Sequence, residues 1–255
     1  MGIKDYLKAG AVAAVCFAVM ILVFSLILHF PVRAQITSDP SKPNYTKAPM
    51  ELEADYKDPV PIWETHQGRI EKLSVFNIPS NNRITEDQIH RYYKVVDHCL
   101  KRLAEFKKTY LGQAKGFGKA LAMYAYSSTA LQLCKVEGLD LAQMRDEEFE
   151  WVQTRLFEVS LFALNRKFET GDILPEQKVI LQGTREQLCF VLGFYKESPG
   201  KIEYFPEKLN LNNIPRGNVA LFLKFKNEVR YSKVNFENIE FNEADILNAA
   251  QQLPP

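Results

Sequence analysis

The sequence predicts an all-α protein built as a single N-terminal membrane helix, a Pro-rich linker and a helical bundle. Three observations carry that expectation. One is an uncharged apolar run from Ala9 to Leu28, another is five prolines between residues 36 and 61, and the third is a series of three-and-four-residue apolar spacings from residue 85 onward. With 46% hydrophobic and 25% charged residues among 255, the composition excludes a wholly disordered, collagen-like or disulfide-scaffold chain.

The first run, AGAVAAVCFAVMILVFSLIL, has Ser25 as its one hydroxyl. Twenty helical residues rise about 30 Å, the thickness of a bilayer's hydrocarbon core. Residues 9–30 are therefore expected to form a transmembrane signal-anchor in contact with lipid, and residues 1–8 a cytoplasmic stub. Lys4 and Lys8 before the run favour the N-terminus inside and the remainder outside. A signal peptide cleaved near Ala34 is the competing reading, because Val32-Arg33-Ala34 ends on a small residue. Either way the C-terminal domain is extracytoplasmic. A bacterial periplasm is the favoured setting, with a secreted or periplasmic protein if the signal is cleaved.

Residues 35–61 read as the linker. Pro40, Pro43, Pro49, Pro59 and Pro61 stiffen it, and at about 3.1 Å per residue some 25 residues reach roughly 75 Å. Without Lys4, Lys8, Arg33 and Asp5, the exported part has 29 basic and 30 acidic residues. That balance gives no electrostatic basis for binding nucleic acid.

Residues 62–255 are expected to form the helical domain. Thr85-Glu86-Asp87-Gln88 has the form of a capping box, and Ile89, Tyr92, Val96, Cys99, Leu103, Phe106 and Tyr110 follow on one helical stripe. A second helix is expected from Lys119 to Val136, closed by Gly138 and antiparallel to the first. Asp146-Glu147-Glu148 suits a third helix start, where carboxylates meet the positive end of the helix dipole. Phe149, Val152, Leu156, Val159 and Ala163 form one seam on it, and Phe157, Leu161, Leu164 and Phe168 another. Two seams predict a central helix.

Pro175 opens a fourth helix that runs to about Lys196, with Pro199-Gly200 beyond it. Residues 200–217 read as loop. Val219–Phe225 fits a helix behind an Asn218 cap better than a strand, and the tail from Asn235 has room for one short helix.

Motifs that carry chemistry are few. His90 and His98 lie eight apart with Asp87 nearby, short of the paired motifs a di-iron bundle needs. Gly112–Ala120 resembles a phosphate loop only in its glycines, since Ala120 stands where a hydroxyl is required. Cys99, Cys134 and Cys189 have no metal-binding or redox spacing and read as buried thiols, with a Cys99–Cys134 bridge as the alternative. No catalytic, cofactor or metal residue is assigned.

The functional expectation is thus a protein that acts through contacts with another protein, as scaffold, adaptor or envelope-complex component. Trp151, Phe157 and Leu161 on the two-seam helix, with Phe117, are the candidate docking residues, because aromatic anchors concentrate interface energy. Two alternatives stay open: a small-ligand carrier or enzyme whose pocket lies along the second seam, and an accessory subunit of a larger membrane complex.

Overall fold

The computed structural model describes residues 60–109, 117–171, 173–227, 230–231, 234–236 and 239–255. The expected stub, the membrane segment and the linker as far as residue 59 lie outside these residues, as does most of Gly112–Ala120. No described helix is long and apolar enough to cross a membrane.

The described chain is mostly helical. It runs α1 (Val60–Ile70), α2 (Glu86–Thr109), α3 (Phe117–Ala142), α4 (Asp146–Thr170) and α5 (Pro175–Val191). Then come the hairpin β1 (Tyr195–Ser198) and β2 (Lys201–Tyr204), two 3-10 turns (Pro206–Lys208 and Leu211–Asn213), α6 (Arg216–Phe225), the strand pair β3 (Arg230–Tyr231) and β4 (Val234–Asn235), and α7 (Glu243–Ala250). The described residues fall into two compact units: residues 60–68 with 99–109 and 117–136, and residues 69–98 with those from 137 onward.

In the first unit, Phe106, Ala130 and Leu133 form a small core, with Ile62, Trp63 and Leu103 against it. The second unit holds the larger core. Phe157, Leu161 and Leu164 of α4 pack with Leu181 and Leu188 of α5, Val219 and Phe222 of α6, and Ile246 of α7. Phe222, Phe236 and Phe241 form a ring cluster with centroids 5.4–6.1 Å apart. Helix α4 is buried on both of its seams, which makes it the central helix of the second unit.

The ends of the helices explain where sequence and structure agree and where they part. The capping box before α2 is formed: Thr85 N–H donates to Gln88 Oε1 at 3.0 Å, and Gln88 N–H to Thr85 Oγ1 at 3.2 Å. Gly171 closes α4 at φ 70°, and Pro175 opens α5. Helix α3, however, runs past Gly138 to Ala142. Gln143 takes the left-handed position instead, at φ 50°, and Met144 N–H reaches back to the Leu139 carbonyl at 3.0 Å. Gly138 serves close packing. A Cβ there would lie 3.0 Å from Val95 Cγ1 and 3.1 Å from Val95 Cα.

Around that contact α2 and α3 are antiparallel, as the pairs Lys94–Leu141, Val95–Gly138 and His98–Glu137 show. Helix α5 stops at Val191, short of Lys196. Gly193 at φ 74° lets Phe194 N–H bond the Cys189 carbonyl at 2.7 Å, and the chain leaves as a strand. Pro199-Gly200, expected as a helix stop, is the turn of the hairpin, in which Tyr195 pairs with Tyr204 and Ser198 with Lys201. So the stretch expected as loop contributes a strand and two 3-10 turns. Helix α6 starts at Arg216, leaving Asn218 inside it rather than at its cap.

Candidate functional site

Of the four docking residues expected from sequence, three are core. Phe157 and Leu161 belong to the main cluster of the second unit, so the second seam of α4 meets helices of its own chain. Trp151 is 8% exposed, with its ring centroid 5.5 Å from that of Phe76. None of the three presents a surface here. Phe117 is the first residue of α3, and its side chain lies outside the described residues.

The covering of Trp151 leads to residues 71–84 between α1 and α2, a stretch with no helical or strand period in the sequence. Arg145 Nη1 donates to the Leu73 carbonyl at 3.1 Å and fixes its start. Asn218, buried inside α6, fixes its end: Oδ1 accepts from Ile84 N–H at 2.9 Å and Nδ2 donates to the Asn82 carbonyl at 2.9 Å. Asn82 is left-handed at φ 53°, a conformation its short polar side chain tolerates.

Between these two anchors the chain from Ser74 to Pro79 has no helix, strand or turn. Pro79 restricts Ile78 to extended backbone, and the β-branched Val75 and Ile78 favour the same region. Leu73, Phe76 and Pro79 are half-buried, a three-residue period, whereas Val75 and Ile78 stand 73% and 64% exposed. Among the described residues, Ser74 to Ile78 make no hydrogen bond through the main chain.

The polar groups of the second unit are mostly paired. Glu148 stands in the first turn of α4, where the sequence suggests a partner of the helix dipole. It is instead nearly buried, receiving Arg91 Nη1 and Nη2 at 2.9 and 2.7 Å and Gln88 Nε2 at 3.0 Å. Asp87 engages Arg91 at 2.9 Å, not His90. His98 Nε2 lies 2.9 Å from the buried Glu137, and Arg69 Nη1 is 3.0 Å from the buried Asp140. These contacts tie helices together.

Arg155 and Glu158, one turn apart on α4, are different. Arg155 Nη1 and Glu158 Oε2 approach to 2.9 Å, yet Arg155 Nε and Glu158 Oε2 are buried with no well-aligned hydrogen bond. Burial pushes the Glu158 carboxyl up to about 7, against the opposing charge of Arg155.

No disulfide joins Cys99, Cys134 or Cys189, so the alternative bridge between Cys99 and Cys134 is not made. Burial raises the Cys189 thiol to about 11, which keeps it protonated and unreactive at neutral pH. Among the described residues, no three His, Cys, Asp or Glu side chains are gathered for a metal ion. Comparison with known protein families, curated proteins and solved structures finds no match to this chain.

Proposed function

We propose that this is a membrane-anchored, extracytoplasmic helical protein that acts through contacts with another protein. The charge-free run at Ala9–Leu28 supports the anchor, and the proline-bearing residues 35–61 support a spacer that holds the helical domain away from the bilayer. The observation that carries the contact reading is a set of outward aliphatic side chains in the second unit. Val75 and Ile78 lie on the segment before α2, and Val179 and Ile180, 80% and 66% exposed, lie on α5. Isolated exposed apolar residues are ordinary on a protein surface; neighbouring β-branched pairs are the kind of feature that a partner covers.

The test is cross-linking of the full chain in its native membrane, followed by affinity capture under denaturing conditions. Recovery of a defined partner in amounts comparable to the chain supports the proposal. Recovery of the chain alone, from membranes that retain it, removes it. One observation favours the carrier alternative: the imperfectly bonded Arg155 and Glu158 on the central helix would welcome a small polar guest. Glu158→Gln would then abolish co-purification of a bound small molecule detectable by mass spectrometry.

A further inference from the structure

We infer that Cys99 and Cys134 are a redox-active pair, which a disulfide donor closes into a bridge across the α2–α3 hairpin. The inference goes beyond the protein-contact reading and stands without it. The structure shows the reduced form, with no bond between the two sulfurs.

Their placement comes from helix register. Val95 of α2 meets Gly138 of α3, where a Cβ would lie 3.1 Å from Val95 Cα. The two Cα atoms are therefore no more than about 4.6 Å apart, one carbon–carbon bond beyond that contact. In an antiparallel helix pair, a step of four residues forward on one helix is matched by four back on the other. Cys99 and Cys134 are the next layer, and Leu103 and Ala130 the one after. At that last layer the helices are still together, because Leu103 packs against the cluster of Phe106, Ala130 and Leu133. The cysteines thus lie between two layers in contact. Gly138, Cys134 and Ala130 put small side chains on α3 at all three, which lets the helices run close.

Distance decides whether the bond can form. A disulfide spans Cα atoms about 4.4–6.8 Å apart. At a crossing angle of about 20°, helix axes part by about 2 Å over one four-residue step, so the cysteine Cα atoms fall at or below about 6.6 Å. A crossing near 50° would part the axes by about 9 Å at the Leu103 layer and undo the packing found there.

The two thiols differ in access. Cys99 is half-buried, whereas Cys134 is 1% exposed and its S–H donates to the Leu131 carbonyl at 3.1 Å. Cys99 therefore attacks first. Its thiolate displaces one sulfur from the donor's disulfide, and that sulfur leaves with the proton Cys99 gave up. The Cys134 thiolate then attacks Cys99 Sγ, and the donor's second sulfur leaves with the proton of Cys134. The donor gains two electrons and two protons, and the chain loses them.

The test uses the full chain, reduced, purified in mild detergent and incubated with oxidised glutathione. The expected product is lighter by two hydrogen atoms, yields a digest peptide joining Cys99 to Cys134, and keeps the circular dichroism of the untreated chain. Cys99→Ala and Cys134→Ala should each abolish it. In Cys134→Ala, where the resolving sulfur is gone, the mixed disulfide on Cys99 should accumulate at least about tenfold above its level in the unaltered chain. No loss of thiols, a mixed disulfide that persists on Cys99 of the unaltered chain, a bridge to Cys16 or Cys189, a bridge between two chains, or a Cys99–Cys134 bridge that forms only in urea would each overturn the pair. None of these results bears on partner capture, so the two readings fail separately.

Discussion

Asn218 shows how one side chain decides a local structure. Its amide closes hydrogen bonds to Ile84 N–H and the Asn82 carbonyl in a buried position, where water cannot substitute. Asn218→Leu would leave both main-chain groups unpaired, at a cost of about 2–4 kcal/mol by chemical denaturation. Proteolysis near Ser80 should quicken at the same time. In the sequence, Asn218 reads as a helix cap; only the packing of a segment some 136 residues earlier reveals its work. Glu158 makes a second prediction at this scale. Its carboxyl binds a proton up to about pH 7 in the folded chain, against an ordinary value near 4.5 when unfolded. The folded state therefore holds more protons between those limits, and its stability should fall as pH rises from about 4.5 to 7 and level off above. Glu158→Gln should remove that slope and raise stability at pH 8 by about 1–3 kcal/mol, read from urea unfolding at several pH values.

Two glycines inside helices, alike in sequence, serve opposite ends. Gly138 of α3 meets Val95 so closely that Gly138→Ala would press a methyl group into side chain and main chain together, costing about 1–3 kcal/mol. Gly183 of α5 has nothing within 4 Å of where its Cβ would lie. Gly183→Ala should therefore stabilise the domain by up to about 1 kcal/mol through helix propensity. Thermal melts of the two variants should move in opposite directions. This pair also marks how far elements were legible in the sequence. The capping box, the Asp146 start, the Gly171 stop and the Pro175 start were readable because each rests on side-chain chemistry within one turn. The end of α3 was not, because Gln143 occupies a left-handed position that glycine ordinarily takes. The hairpin after α5 hid behind Pro199-Gly200, a pair that reads equally as helix stop and strand turn. The segment before α2 had no signal of helical or strand period, and its three-residue burial pattern emerges only once Leu73 and Phe76 are seen to tuck inward.

At the scale of the whole molecule, the two seams of α4 announced a helix central to its own unit, and the same seams suggested a docking face that this unit fills with its own helices. Periodicity tells how many sides of a helix are covered, not whether a partner or the chain itself covers them. The proposed anchor and spacer make a separate prediction. The first residues found on N-terminal sequencing of the protein from native membranes should be those of the uncleaved chain, and the protein should resist alkaline carbonate extraction. A first residue at Gln35 would convert the anchor to a cleaved signal. The contact claim itself is tested most directly by a native gel of membranes dissolved in mild detergent and probed for this chain. The account predicts a discrete species larger than the chain with its detergent, which collapses to the single chain when the exposed Val75, Ile78, Val179 and Ile180 are all replaced by serine. A single species at the size of the lone chain, unchanged by those substitutions, would contradict it.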